Sequence, residues 1–363
     1  MLHENTLPSP PIVIGNHSLG SLSEFIELSS FSKIILLCDE HTSEQCLPVL
    51  LHHVPALENV EILEIESGEE NKTIHSCINL WEMLCKKETD RHSLLINLGG
   101  GVICDLGGFI ASTYKRGISF INIPTTLLAQ CDAAIGGKTG IDFANLKNSI
   151  GTFSQPLATY IFSGFIRTQS KKQLLSGYAE IIKHALIADK NLWEKIKKCT
   201  LSDLNEIEKI LPASIQIKLQ IIHSDPLEKN ERKLLNFGHT IGHAIESLSL
   251  EWEQLSVLHG EAVAMGMICE SFLSYKSGRL PHQELDEICN FIFSLYKPIE
   301  INDNHCSRLM EIMRNDKKNR NGYIYFTLLN TIGDGIVDVQ VAEEMIAQAL
   351  HFYSSKSALQ KFP

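Results

Sequence analysis

The chain has 363 residues, 44% of them hydrophobic and 21% charged, which is the make-up of an ordinary globular protein and length enough for two domains. Its formal net charge of −11 works against binding to nucleic acid or to an anionic membrane, so an anionic ligand has to be met by a local group of cations. Ten cysteines without a Cys-x-x-Cys pair argue against a zinc ribbon or a disulfide framework and fit a reducing, cytoplasmic setting. A polar, Pro-rich start and the lack of any run of about 18 apolar residues give no sign of a signal peptide or a membrane span.

Along the first half, short apolar runs alternate with helical patterns. Residues 33–38 and Leu94–Leu98 read as buried strands, Val60–Ile65 as an alternating strand and Ile118–Ile123 as a further strand. A helix is expected from about Thr73 to Lys86, after the turn Ser67–Lys72, and a small-residue helix from Ile103 to Ser112. Strand–helix alternation predicts a parallel sheet covered on both faces. From Lys171 to Lys297 the pattern is almost wholly helical, with periodic apolar residues in Tyr178–Ala188, Leu204–His223, Leu234–Leu248 and Gly260–Tyr275. Tyr323–Leu329 reads as a late strand before a Gly-Asp-Gly turn at 333–335. The expected architecture is an α/β nucleotide-type domain, residues 1–168, followed by a mainly helical domain, residues 169–363.

Gly99-Gly100-Gly101 follows a predicted strand and opens a helix, where bare backbone and a helix N-terminus suit a pyrophosphate. The spacing is not that of the Gly-x-Gly-x-x-Gly fingerprint, and a simple tight turn is an equal alternative. Gly107-Gly108, inside the helix, suits close packing. Asp39, Glu69 and Asp105 lie near strand ends, where a carboxylate can accept hydrogen bonds from a ribose; each alone is an ordinary turn residue.

His239 and His243, four apart in a helical pattern, share one face. His259-Gly260-Glu261 heads the next helix, and Glu180 in Ala-Glu-Ile-Ile-Lys-His adds a carboxylate on a third. Imidazoles plus a carboxylate suit a divalent metal with one position left open. Spacing does not settle which of these groups are ligands. Thr240 stands where the zinc proteases carry Glu, so that reading fails. His184, four after Glu180, is expected to be a satisfied core or surface histidine rather than a ligand. Lys138, Lys147, Lys183, Lys218 and Arg232 recur in apolar or Gly-rich surroundings, Lys138 on an expected flexible Gly-Gly-Lys-Thr-Gly loop that lacks the spacing of a P-loop. Singly, each is an ordinary surface charge; together they suit a doubly anionic substrate.

The segments Gly99–Gly108 (GGGVICDLGG), Pro124–Asp142 (PTTLLAQCDAAIGGKTGID), Leu146–Phe153 (LKNSIGTF), Gly177–Lys183 (GYAEIIK), Asn236–Ala244 (NFGHTIGHA), Leu258–Met267 (LHGEAVAMGM) and Asp316–Lys318 (DKK) together resemble the 3-dehydroquinate synthases of the sugar-phosphate cyclase superfamily. The resemblance covers nearly the whole chain. It implies an N-terminal Rossmann-like NAD-binding α/β domain and a C-terminal mainly helical metal-binding domain. It implies zinc or cobalt on Glu180, His239 and His259, with His243 a substrate contact instead of a ligand. NAD contacts carry over to Asp39, Glu69, Lys72, Gly100, Gly101, Asp105, Thr125, Thr126 and Thr168, with Lys138 and Lys147 at the border of cofactor and substrate. Substrate contacts carry over to Asp132, Lys138, Lys147, Asn148, Lys183, Lys218, Arg232, Asn236, His243 and one of Lys317 and Lys318. Arg116 matches a residue that reaches a neighbouring subunit's site, which implies a homodimer.

The implied activity is closure of a seven-carbon sugar phosphate, 3-deoxy-D-arabino-heptulosonate 7-phosphate, into 3-dehydroquinate by transient NAD oxidation, phosphate elimination, reduction and an intramolecular aldol step. The alternatives are a sister cyclase such as 2-deoxy-scyllo-inosose synthase, an NAD- and metal-dependent polyol dehydrogenase, and an inactive NAD-binding protein. The stretch Leu248–Val257 is longer than the pattern leads one to expect. Asn230, standing where Gly is usual, is expected to take over a left-handed turn position.

Overall fold

The computed structural model describes residues 10–144, 146–201, 203–251, 257–314 and 323–359. The chain forms two compact units, Met1–Ser170 and Lys171–Pro363.

The first unit runs β1 (Ile12–Ile14), α1 (Ser18–Leu28), β2 (Ile34–Asp39), α2 (Glu40–Gln45), α3 (Leu47–His53), β3 (Glu61–Ile65), α4 (Ile74–Lys86) and β4 (Leu94–Gly99). It continues with α5 (Gly101–Thr113), β5 (Ser119–Pro124), β6 (Lys138–Phe143), β7 (Leu146–Phe153) and β8 (Thr159–Ile161). Six strands form a parallel sheet in the order β1-β8-β5-β4-β2-β3. Strand side chains alternate between faces, and each face has its own core. Leu36, Cys38, Leu94 and Ile96 pack against α1 and α3 through Leu22 and Leu50, whereas Ile35, Leu37 and Leu95 pack against α4 and α5 through Leu80 and Phe109. Parallel strands covered on both faces have to be apolar on both, which is why these runs were legible.

From β2 the chain steps to one side for β3 and returns to the other for β4. The strand order therefore reverses between the carboxyl ends of β2 and β4, the usual place for a ligand in such sheets. Gly107 and Gly108 let α5 lie close: an added Cβ would collide with Asn97 on β4 and with Thr139 on β6. Lys138 corrects the expected flexible loop. It opens β6, which pairs antiparallel with β7 in the register Lys138↔Phe153.

The second unit runs α6 (Lys171–Ala188), α7 (Lys190–Ile196), α8 (Leu204–Ser224), α9 (His239–Glu251), α10 (His259–Lys276), α11 (His282–Leu295), α12 (Asp303–Arg314), β9 (Ile324–Thr331), β10 (Asp334–Val341) and α13 (Glu343–Ala358). β9 and β10 form an antiparallel hairpin. At its centre α10 is buried along nearly its whole length, with α6, α9, α11 and α13 packed around it. Glycine makes the closest approaches. A Cβ on Gly260 would overlap the Ser176 carbonyl of α6, and one on Gly266 would overlap the Gly238 carbonyl before α9. The helical pattern over Leu234–Leu248 is broken in the structure. A 3₁₀ turn spans Glu231–Asn236, and Gly238 at φ +78° redirects the chain so that α9 begins at His239. No described helix is long and apolar enough to cross a membrane.

Candidate active site

In the first unit the candidate cofactor residues collect along the carboxyl edge of the sheet. Asp39 ends β2 and caps α2, its Oδ1 accepting the Thr42 N–H at 2.8 Å. Gly99 ends β4, and its carbonyl accepts the Thr125 N–H at 2.9 Å, which ties the ends of β4 and β5 together. Gly100 lies against Thr126. Thr125 Oγ1 is buried and has no hydrogen-bond partner among the described residues, so a polar atom here is left for a ligand. Thr168 is exposed beyond β8, its hydroxyl donating to the Phe165 carbonyl. Asp132 lies in the π-helical turn Ala129–Ala133 after β5.

Lys72 is buried and organises a polar cluster. Its Nζ is 2.6 Å from Asp105 Oδ2, 2.6 Å from Asn148 Oδ1 and 3.9 Å from Glu69 Oε1, while Lys147 approaches the same Glu69 oxygen at 3.8 Å. Burial pushes the Asp105 carboxyl up and works against the Lys72 charge, yet Asp105 and Glu69 hold the lysine above its ordinary value. Asp142, which sequence reasoning did not single out, accepts the Asn148 N–H at 2.7 Å and holds that residue at φ +49°.

Arg116 is not part of this edge. It lies at the opposite, amino end of β5, exposed, and both it and Lys115 have positive φ, 67° and 50°.

In the second unit α6, α9 and α10 bring Glu180, His239 and His259 together, their ligand atoms all within 4.8 Å of one another. Glu180 is fully buried. Its Oε2 is bonded to Lys183 Nζ. Its Oε1 has no hydrogen-bond partner among the described residues and is 3.6 Å from both His239 Nε2 and His259 Nε2. A carboxylate oxygen orphaned in the interior and faced by two imidazole nitrogens just beyond hydrogen-bond reach has the shape of a metal tripod, since ligands about 2 Å from a shared ion stand about this far apart.

The far ring nitrogens are engaged as well: His239 Nδ1 is 3.1 Å from the Phe237 carbonyl and His259 Nδ1 is 3.3 Å from Glu246 Oε2. Burial, then the Lys183 charge, push His239 down to about 3, leaving its lone pair available. Burial acts the same way on His259, but Glu180 and Glu246 outweigh it and push the ring up to about 10. Burial also opposes ionisation of Glu180, and Lys183 with the two imidazoles overcomes it, holding the carboxyl well below the usual range. His243 packs edge-on against His239 with ring centroids 5.0 Å apart.

His184 is a buried histidine whose Nδ1 is 2.7 Å from Ser214 Oγ. Lys183, Lys218 and Arg232 are buried rather than solvated. Lys218 is on α8, which packs against α6 and against the 3₁₀ turn that carries Arg232 and Asn236. The Asp225 carboxylate accepts the backbone N–H groups of Lys229, Asn230 and Arg232, and this nest shapes the turn. Asn230 is accordingly not left-handed, at φ −137°; the positive φ falls on Glu228, at 57°, whose carboxylate accepts from Asn236 Nδ2 at 2.9 Å. Lys317 and Lys318 lie outside the described residues.

The sequence matches the family model for the N-terminal part of 3-dehydroquinate synthase over residues 62–176 and that for its C-terminal part over residues 177–319. It is 41% identical over 344 residues to the 3-dehydroquinate synthase of Parabacteroides distasonis, covering 94% of this chain and 97% of the relative, and 41% identical over 331 residues to that of Helicobacter pylori, covering 91% and 94%. Among solved structures it is similar to a 2-epi-5-epi-valiolone synthase from Streptomyces hygroscopicus with NAD⁺ and Zn²⁺ bound, with a TM-score of 0.84, 26% identity and coverage of 96% and 97%. A 2-deoxy-scyllo-inosose synthase complexed with carbaglucose-6-phosphate, NAD⁺ and Co²⁺ shares the fold at a TM-score of 0.79 and 23% identity, covering 93% and 95%. With a parallel α/β sheet in one unit, a cluster of Glu180, His239 and His259 in the other and both family models matched in order, the chain belongs to the 3-dehydroquinate synthase family.

Proposed function

We propose that the residues gathered in the two units perform the reaction of this family, converting 3-deoxy-D-arabino-heptulosonate 7-phosphate to 3-dehydroquinate and phosphate, a step of the shikimate pathway toward aromatic amino acids. The protein is a phosphate-eliminating carbon–oxygen lyase that depends on NAD and a divalent metal. The observation that carries the assignment is the buried tripod of Glu180, His239 and His259, with its unpartnered carboxylate oxygen. Asp39, Glu69, Lys72, Gly100, Gly101, Asp105, Thr125, Thr126 and Thr168 hold NAD, with Lys138 and Lys147 at its border. When bound, NAD supplies a reversible hydride acceptor and zinc or cobalt supplies a Lewis acid, so the net change is elimination and ring closure without oxidation.

The protein's own groups bind and orient. Lys138, Lys218 and Arg232 neutralise the substrate carboxylate; burial of the last two makes each charge-assisted bond stronger than it would be in water. Lys183, Asn148, His243 and Arg116 meet the phosphate, and Asp132 and Asn236 orient hydroxyl groups. Arg116 does so from a partner subunit, so the enzyme works as a homodimer; its exposed place at the far edge of the sheet supports this. Ten cysteines with no disulfide among the described residues support a cytoplasmic setting.

The test offers the heptulosonate phosphate and a hexose 6-phosphate, which lacks a carboxylate, in parallel. Phosphate release with formation of a carbocyclic acid is expected from the first alone. Turnover of the hexose phosphate to an inosose would move the assignment to the sister cyclases.

A further inference from the structure

Helix α9 carries more of the metal centre than one ligand. His239, His243 and Glu246 stand at i, i+4 and i+7, on one face and two turns deep. Glu246 is buried, 5% exposed, and its Oε2 is 3.3 Å from His259 Nδ1, while His259 Nε2 faces Glu180 Oε1 at 3.6 Å. One imidazole is thus flanked by a carboxylate at each ring nitrogen. Among the described residues the other, His239, turns Nδ1 to the neutral Phe237 carbonyl, at 3.1 Å.

We propose that Glu246 is a positioning residue of the metal centre. It accepts the Nδ1–H of His259, fixes the tautomer that aims the Nε2 lone pair at the point shared with Glu180 and His239, and makes His259 the stronger donor of the two histidines. A neutral imidazole has one N–H and one lone pair, so anchoring the proton at Nδ1 decides where the lone pair goes, and a carboxylate acceptor raises the basicity of the far nitrogen more than a carbonyl does. Because Glu246 and His239 share a helix, α9 places one ligand directly and orients the other. The inference rests on Glu180, His239 and His259 being the ligand set. His243, Glu246 and His259 also have ligand atoms within 4.8 Å of one another, the spacing of a second metal site, so the number of ions bound has to be counted.

The test strips the metal and titrates Zn²⁺, and separately Co²⁺, against a competing chelator at fixed pH, using wild type, Glu246→Ala, Glu246→Gln and His239→Ala. The visible absorption of bound Co²⁺ and the melting temperature of each metal-free protein are recorded. One ion per wild-type chain is expected, with affinity about 10–100-fold weaker and a shifted cobalt spectrum in Glu246→Ala, and partial recovery in Glu246→Gln, which keeps an acceptor without the charge. A lower metal-free melting temperature with wild-type affinity and spectrum would make Glu246 merely structural and overturn the proposal, provided His239→Ala is impaired. Wild-type affinity in His239→Ala would instead overturn the ligand set and the proposal with it. Two ions per wild-type chain would overturn it by making Glu246 a ligand of a second ion. Should Glu246→Ala not fold, wild-type affinity together with an unshifted spectrum in Glu246→Gln would overturn it.

Discussion

His239 and His243 are neighbours on one helix face, with rings 5.0 Å apart, and no count of residues along α9 distinguishes ligand from bystander. We assign His239 as the ligand because α6 and α10 place Glu180 and His259 where its Nε2 and that of His259 face the same carboxylate oxygen. His239→Ala and His259→Ala are each expected to lose the metal, because each removes one of three protein ligands. His243→Ala is expected to keep it while losing turnover; elemental analysis of dialysed protein alongside a phosphate-release assay separates the two results. Metal loss from His243→Ala as complete as from the others would show the assignment to be wrong. Glu180 stands out as a candidate carboxylate in the sequence, where the resemblance implies its role, but Glu246, Asp142 and Asp225 leave no signal there. A carboxylate that holds another residue by one hydrogen bond has no spacing rule, only a place in the folded chain.

At the scale of elements, the buried parallel strands β2, β4 and β5 were legible because both of their faces must be apolar, and the half-exposed edge strand β3 by its alternation. The β6–β7 hairpin was not, because its apolar residues Phe143, Leu146, Ile150 and Phe153 are exposed and glycines interrupt its pattern. The work of the glycines of Gly-His-Thr-Ile-Gly-His and Met-Gly-Met is steric: they bring α9 close against α10, the helices that carry His239 and His259. Gly266→Ala is therefore expected to cost about 1–3 kcal/mol and to weaken metal binding, since its Cβ meets backbone that cannot yield. Gly20→Ala is the contrast. Gly20 is an exposed position in α1 with nothing near its Cβ, and alanine there is expected to stabilise by up to about 1 kcal/mol. Thermal denaturation of both variants checks the pair; equal effects would remove the packing argument.

For the whole molecule, Lys183, Lys218 and Arg232 are buried instead of displayed, which suits the role proposed for them, meeting a doubly anionic substrate in a protein of net charge −11. Arg116 is handled in the reverse way, exposed on a backbone with two consecutive left-handed residues, a conformation that costs roughly 1–2 kcal/mol for each. Such strain is kept where a side chain must point in one direction. If Arg116 serves the partner's site, mixing Arg116→Ala with Lys138→Ala chains gives a hybrid dimer with one intact site, and activity partly returns. No recovery in demonstrably mixed dimers would place Arg116 in its own subunit's site or in none. The order and class of the two units were legible from the alternation of strands and helices giving way to helices alone, whereas the route of Arg116 to a substrate had no trace beyond the resemblance.

The most direct measurement of the central claim, that NAD is used and regenerated within one turnover, supplies the metal-loaded enzyme with excess heptulosonate phosphate and limiting NAD⁺, and follows phosphate and NADH together. Many equivalents of phosphate per NAD⁺, with no net gain of NADH absorbance, are expected. One NADH accumulating for each substrate consumed would contradict the synthase and point to a polyol dehydrogenase.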